Sequence, residues 1–241
     1  MSLIVTGKQP HQESLPFAID DHGLFETFYA GPNEAAVSLL KKAVIERAHE
    51  QFYVFGPHGS GKSHLLTALF RMVHQPTLNV FYVDMTLVVR LSPLLLDVDP
   101  PSVVMLDNIE AIAGDPAWEL SLFGFYNRWL DTQPGVFIAT ATPSADRLPF
   151  LRADLNTRFE NGVTLSLERL DGAGCAEALK LRGKRRGFDI PDKVAAYLVR
   201  HCNRDMPSLI EILDRLDRAS LQEQHELTIP FVRRILGLES S

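Results

Sequence analysis

The stretch from Phe52 to His64 restricts the fold of this chain more than any other. A short apolar run, Phe52-Tyr53-Val54-Phe55, leads into Gly56-Pro57-His58-Gly59-Ser60-Gly61-Lys62-Ser63, and His64 follows. Apolar residues then recur with helical spacing at Leu65, Leu66, Leu69 and Phe70. The pattern GxxxxGK[ST] between a strand and a helix is a phosphate-binding loop in the context its chemistry requires. Gly56, Gly59 and Gly61 let the loop backbone turn its N–H groups inward toward phosphate oxygens. The helix that opens near Lys62 adds its positive N-terminal end. Lys62 supplies a compact cation for the β- and γ-phosphates, and the Ser63 hydroxyl is placed to ligate Mg²⁺.

A loop of this kind belongs in a parallel sheet flanked by helices, and the rest of the chain supplies one. Val80-Phe81-Tyr82-Val83 reads as a second strand. Ser102-Val103-Val104-Met105-Leu106 reads as a third, apolar on both faces as a buried parallel strand should be. Gly135 to Thr140 reads as a fourth strand around Val136-Phe137-Ile138-Ala139, and Val163 to Leu167 as a fifth. A helix opens after Asn33, an N-cap candidate, and runs through His49 with Ala36, Val37, Leu40, Ala43 and Val44 on one face. That face either walls a base pocket or packs in the core. The stretch from Gly114-Asp115-Pro116 opens a long amphipathic helix, with Trp118, Leu122, Phe125, Tyr126 and Trp129 as a core face. From Asp171 the pattern is all-helical: Gly172 to Arg186, Asp192 to Cys202, Met206 to Glu223 and Ile229 to Leu236. The basic run Arg182, Lys184, Arg185 and Arg186 before Gly187 reads as a solvated last turn, with an acidic or nucleic-acid contact as the other reading. The expected fold is α/β: a phosphate-loop domain with a five-stranded parallel sheet over residues 22–170, then a small helical domain over 171–241. Residues 1–21 form an extended arm, because Gly7, Pro10 and Pro16 disfavour a helix.

Beyond the loop, several residues bear on chemistry. The third strand ends in Asp107, which at that edge can hold Mg²⁺ through water. The next residue is Asn108, where motor ATPases place a carboxylate, and an amide is no general base. Glu110 lies two residues on. Thr140 and Thr142 can bond a phosphate or water, or simply cap a turn before Pro143. Arg158, near a helix end, is either a surface charge or a finger that completes a neighbour's nucleotide site. In the arm, Pro16 favours an extended Leu15. Gln12, Ser14, Leu15, Pro16 and Phe17 can therefore dock on a partner or pack on their own domain.

The balance of 24 Lys and Arg against 30 Asp and Glu gives a net charge of −6, poor material for a nonspecific DNA coat. Two cysteines, Cys175 and Cys202, point to a reducing compartment and not to a disulfide framework. No apolar run reaches membrane-spanning length and no signal pattern opens the chain, so a cytoplasmic protein is expected.

With the phosphate loop, the Asp107 strand, the Arg158 segment and a helical lid, the chain resembles AAA+ proteins. Three segments narrow that resemblance. They are Asp107-Asn108-Ile109-Glu110-Ala111-Ile112-Ala113-Gly114-Asp115, Leu181-Arg182-Gly183-Lys184-Arg185-Arg186-Gly187-Phe188, and Leu216-Asp217-Arg218-Ala219-Ser220 with Leu227-Thr228-Ile229-Pro230-Phe231-Val232. They are similar to the DnaA regulatory inactivator family, regulators homologous to the bacterial initiator DnaA. The resemblance implies a negative regulator of replication initiation that holds ADP or another nucleoside diphosphate, with ATP also accommodated, and Mg²⁺. Cofactor contacts would come from Gly56 through His64 and from Asp107, with Ser63 and Asp107 toward the metal. Gln12, Ser14, Leu15, Pro16 and Phe17 look like the peptide that docks on the sliding clamp of DNA polymerase III. Arg158 matches the arginine finger that acts in trans on ATP-bound DnaA. DNA is then met only through the clamp, no membrane is involved, and self-association is left open. The chain ends soon after the lid, where initiators continue into a helix-turn-helix domain. Ala141 and Pro207 replace an Asp and a sensing Arg of the family pattern, with Arg204 out of register, and with Asn108 they argue against fast self-hydrolysis. The runner-up is an AAA+ loader or motor that hydrolyses its own ATP; a small-molecule kinase is disfavoured by the lid.

Overall fold

The structure is a computed structural model that describes residues 23–74, 79–132, 135–203 and 205–238. Among them the chain forms two compact units, one of residues 32–168 and one of 23–31 with 169–238. The clamp-peptide residues Gln12 to Phe17 and Arg204 lie outside the described residues.

In the first unit, α1 (Glu34–Glu46), β1 (Gln51–Phe55), α2 (Lys62–Val73), β2 (Val80–Asp84), α3 (Met85–Val88) and β3 (Val103–Asp107) come in order. They are followed by α4 (Pro116–Thr132), β4 (Val136–Ala141), α5 (Ala153–Glu160) and β5 (Val163–Ser166). The five strands form one sheet in the order β2-β3-β4-β1-β5, every pair parallel. This is the five-stranded parallel sheet expected from the sequence. Strands β3 and β4 are buried along their whole length, because helices cover both faces of the sheet and leave no polar side to read. At the edge, β5 is mostly exposed. The aromatic face of α4 is core, as its spacing predicts: Trp118, Leu122, Phe125, Tyr126 and Trp129 are all buried. Tyr126 and Trp129 meet Phe137 edge-on, with ring centroids at 5.5 and 5.2 Å. Burying each such side chain contributes about 1.5–3 kcal/mol, so α4 is fixed on the sheet before any polar contact is considered.

Two local expectations differ. Helix α1 stops at Glu46 and does not reach His49, because Arg47 takes a left-handed backbone (φ 52°) that ends the helix. Asn33 precedes α1, but its side chain makes no cap bond. Instead the amide clamps a distant backbone: Nδ2 donates to Glu168 O at 2.9 Å, and Oδ1 accepts from Glu168 N at 2.8 Å. A buried amide that finds both partners there satisfies more polar groups than a cap would.

The second unit contains α6 (Gly172–Arg185), α7 (Asp192–His201), α8 (Met206–Glu223) and α9 (Ile229–Leu236). Asp171 caps α6 by accepting from Gly174 N at 2.7 Å, and Asp205 caps α8 by accepting from Ser208 N at 2.9 Å. Pro207 sits in the first turn of α8, where a missing N–H costs nothing. Leu179, Leu198, Leu209, Leu213, Leu216 and Val232 form the core. The basic run at the end of α6 is not simply a solvated turn. Arg182 is buried, and Arg186 reaches inward to Asp214 at 2.6 Å and Asp217 at 3.7 Å on α8. Only part of that run faces water, because every fourth residue of α6 turns toward α8.

Candidate nucleotide site and arginine cluster

Strand β1 delivers the phosphate loop at its C-terminal end. Gly56 cannot be anything larger, since a Cβ there would stand 2.2 Å from the backbone oxygen of Leu167. Gly61, at φ 93°, takes a left-handed conformation just before α2. No side chain caps α2, so its first-turn N–H groups are left for the loop or a ligand to satisfy. Ser60 N closes a turn on Pro57 O at 3.1 Å. Lys62 is buried, and its ammonium donates to the carbonyl of Gly56 at 2.7 Å and of Pro57 at 3.3 Å. Ser63 is exposed at the mouth, Pro57 and His58 lie on the outside, and His64 is half-buried.

Asp107 ends β3 in register with Asp84 on β2. It is fully buried. One carboxylate oxygen, Oδ1, accepts from the Thr140 hydroxyl, and the other, Oδ2, has no hydrogen-bond partner. Burial pushes the Asp107 carboxyl up to about 6, helped by Asp84 and opposed by the Thr140 and Ser63 hydroxyls and by Lys62. A buried carboxylate with one oxygen unsatisfied, next to a serine hydroxyl, fits a hydrated Mg²⁺, and the ammonium beside them fits the phosphate that would share that ion. No group of three or more His, Cys, Asp and Glu that could hold a metal occurs among the described residues, so such an ion would depend on phosphate oxygens. Ser60 Oγ is likewise buried without a partner beside the loop. On these two orphaned atoms and the Gly56 cradle, the residues fit a magnesium nucleotide.

Asn108 is held in a left-handed backbone (φ 55°). Its N–H donates to the Thr140 hydroxyl at 3.1 Å and its side-chain amide to Asp84 at 3.1 Å. Thr140 is thus engaged with the end of β3 on both sides. Glu110 spends Oε1 on the backbone N–H of Thr142 at 2.8 Å, while its buried Oε2 has no partner. Nothing in the sequence marked Asp84, whose only signal is its place at the end of a strand beside the Asp107 strand. Tyr82, also on β2, has its hydroxyl pushed up to about 12 by burial and by Asp107.

Arg158 belongs to a different cluster, in the last turn of α5. Its guanidinium lies 4.6 Å from the centre of the Phe123 ring and 5.3 Å from that of Tyr126. Its Nε is buried without a hydrogen-bond partner. Gln51 locks the surrounding backbone: Nε2 donates to Arg158 O at 3.0 Å, and Oε1 accepts from the Tyr126 hydroxyl. Sequence reasoning did not find Phe123, Tyr126 or Gln51 as its supports, because they come from α4 and β1.

Comparison with known proteins accounts for both units. Residues 171–236 match the family model for Hda, lid domain. The fold is similar to domain III of the Thermotoga maritima replication initiation protein DnaA, with a TM-score of 0.75 at 18% identity over 92% of this chain and 98% of that one. It is similar to AMPPCP-bound DnaA from Aquifex aeolicus at 0.66 and 19%, over 86% of this chain and 71% of that one. The Thermotoga maritima RuvB Holliday junction branch migration motor matches at 0.67 and 17%, over 90% and 72%. At these identities the likeness shows the AAA+ fold, and the lid match shows which kind of AAA+ lid follows it.

Proposed function

We propose that this Hda-like AAA+ protein is a negative regulator of replication initiation that acts on the initiator DnaA. In this reading it holds ADP, or ATP, with Mg²⁺ in its own phosphate site. It docks on the DNA-loaded sliding clamp through Gln12, Ser14, Leu15, Pro16 and Phe17, and it meets DNA only by way of the clamp. Arg158 then enters the site of ATP-bound DnaA and neutralises charge that develops on the γ-phosphate. The initiator is left in its ADP form. The free thiols of Cys175 and Cys202 suit the cytoplasm, where this would occur.

Within its own site, the loop N–H groups and Lys62 would bind the phosphates, and Ser63 and Asp107 would hold the metal. Mg²⁺, when bound, supplies positive charge that offsets phosphate repulsion. The position of the usual base is altered. Asn108 stands where a motor has a carboxylate, its amide is tied to Asp84, and Glu110 is partly spent on Thr142. A site that binds nucleotide without activating water suits a regulator better than a loader or motor.

The observation that carries the reading is Arg158: a guanidinium stacked on two rings, with an unpartnered Nε, on a chain with an Hda-type lid. Single-turnover hydrolysis by ATP-loaded DnaA, with clamp on DNA, tests it. The wild-type protein should stimulate the reaction, and Arg158→Ala should lose roughly 10³–10⁵ of that rate while still binding nucleotide. Arg158→Lys should restore little, because an ammonium lacks the planar fork. Full stimulation by the alanine variant would rule out the finger, and rapid turnover of ATP by this protein alone would favour the motor.

A further inference from the structure

The Phe123 ring carries a second cation. The Arg152 guanidinium lies 5.5 Å from its centre, on the same ring that supports Arg158. Two guanidiniums that share one ring repel each other unless an anion or water compensates. The carboxylate beside them does so only indirectly. Glu119 is fully buried, and its two oxygens accept from the backbone N–H groups of Gly114 at 2.8 Å, Leu151 at 2.9 Å and Arg152 at 2.9 Å. It fixes the chain that carries Arg152 and leaves the guanidinium to other partners. Among the described residues no ion pair joins either Arg152 or Arg158 to an acidic side chain. Leu120, on the same helix as Phe123, and Leu151, next to Arg152 in the chain, are 55% and 66% exposed. Arg158 is thus one half of a two-pronged cationic surface with an aromatic floor.

We propose that Arg152 is a second phosphate-binding residue of the surface that acts in trans, and that it contacts the γ-phosphate of the nucleoside triphosphate held by the partner. The inference rests on the function proposed for Arg158 and divides the labour within it. Arg158, seated against two rings, meets the charge that grows as the γ-phosphate leaves. Arg152, seated against one ring and anchored only at its backbone, binds charge already present in the triphosphate. Uniform binding of that kind changes the concentration needed and not the limiting rate.

The test follows stimulation of hydrolysis by ATP-loaded DnaA on clamp-loaded DNA as this protein is titrated. Arg152→Ala should raise the half-maximal concentration by about tenfold to a hundredfold, the worth of one charge-assisted hydrogen bond, and leave the plateau rate within about twofold. Arg158→Ala should do the reverse. Arg152→Lys should recover part of the affinity, since a point charge suffices for a phosphate. A parallel titration measures binding to DnaA loaded with AMPPCP or with ADP, and the Arg152→Ala defect should be confined to the AMPPCP form. An equal defect with ADP would mean that Arg152 meets a protein carboxylate, which overturns the proposal. So would an unchanged half-maximal concentration, or a loss of plateau rate with a lowered melting temperature, which marks a structural role. If the wild-type protein gives no stimulation, the proposed function itself fails and this inference falls with it.

Discussion

Lys62 lies against the carbonyl oxygens of its own loop, so its ammonium must exchange those partners for phosphate oxygens when a nucleotide enters. Removing it deprives the loop of its buried cation. Lys62→Ala should abolish binding of both ADP and ATP by calorimetry, since charge-assisted hydrogen bonds contribute about 1.5–3 kcal/mol each. Unaltered isotherms would show that the loop binds no phosphate. At this scale the sequence was legible where chemistry is local. Gly56 to Ser63 and Asp107 were singled out because each pattern depends on its neighbours along the chain. Asp107 shows the limit: its unsatisfied Oδ2 and its partner Thr140 are products of sheet register, which brings β3 and β4 side by side. The same holds for Arg158, whose ring contacts come from Phe123 and Tyr126 on α4 and have no signal along its own stretch of chain.

Among the elements, strands and helices followed their periodicity, and apart from the end of α1, set locally by Arg47, the misread features were those decided by distant partners. Asn33 looks like a cap and clamps Glu168; Arg186 looks like a solvated helix end and reaches α8. Glu119, which no pattern singles out, is also decided by distant partners. By sequence it is one more polar residue in the first turns of α4, yet it joins the start of that helix to the chain entering α5. Glu119→Ala would deprive three backbone N–H groups of their acceptor, those of Gly114, Leu151 and Arg152. Gly114 and Leu151 are exposed and Arg152 is half-buried, so water replaces part of what is lost. The expected loss is about 2–4 kcal/mol of unfolding free energy, read by urea titration. Stimulation of DnaA should fall further than stability alone explains, because the cluster around Phe123 depends on this anchor. A variant with wild-type stability would mean that the segment before α5 is held by its apolar contacts alone.

On the scale of the whole molecule, the reading requires three separable tasks: nucleotide binding by the loop, action in trans by the Arg158 surface, and recruitment by the N-terminal arm. The arm's residues lie outside the described ones, so its proposed role rests on the sequence, where a proline at 16 disfavours a helical Leu15 and Leu15 and Phe17 are the apolar candidates for anchors. If the arm only recruits, Leu15→Ala with Phe17→Ala should leave the melting temperature and nucleotide affinity near those of the wild type. Deleting two apolar anchors should cost roughly 2–4 kcal/mol of clamp binding, enough to lose most of a micromolar complex. Stimulation of DnaA should then fall at low concentration and recover when the variant is supplied in excess, since the arginine surface is intact. Arg158→Ala should behave in the opposite way, still eluting with the clamp and giving no stimulation at any concentration. The two variants mixed should not rescue each other, because recruitment and chemistry must reside on one chain to gain from effective concentration. A double variant that still elutes with the clamp, or one that melts well below the wild type, would instead assign Leu15 and Phe17 to the packing of their own domain.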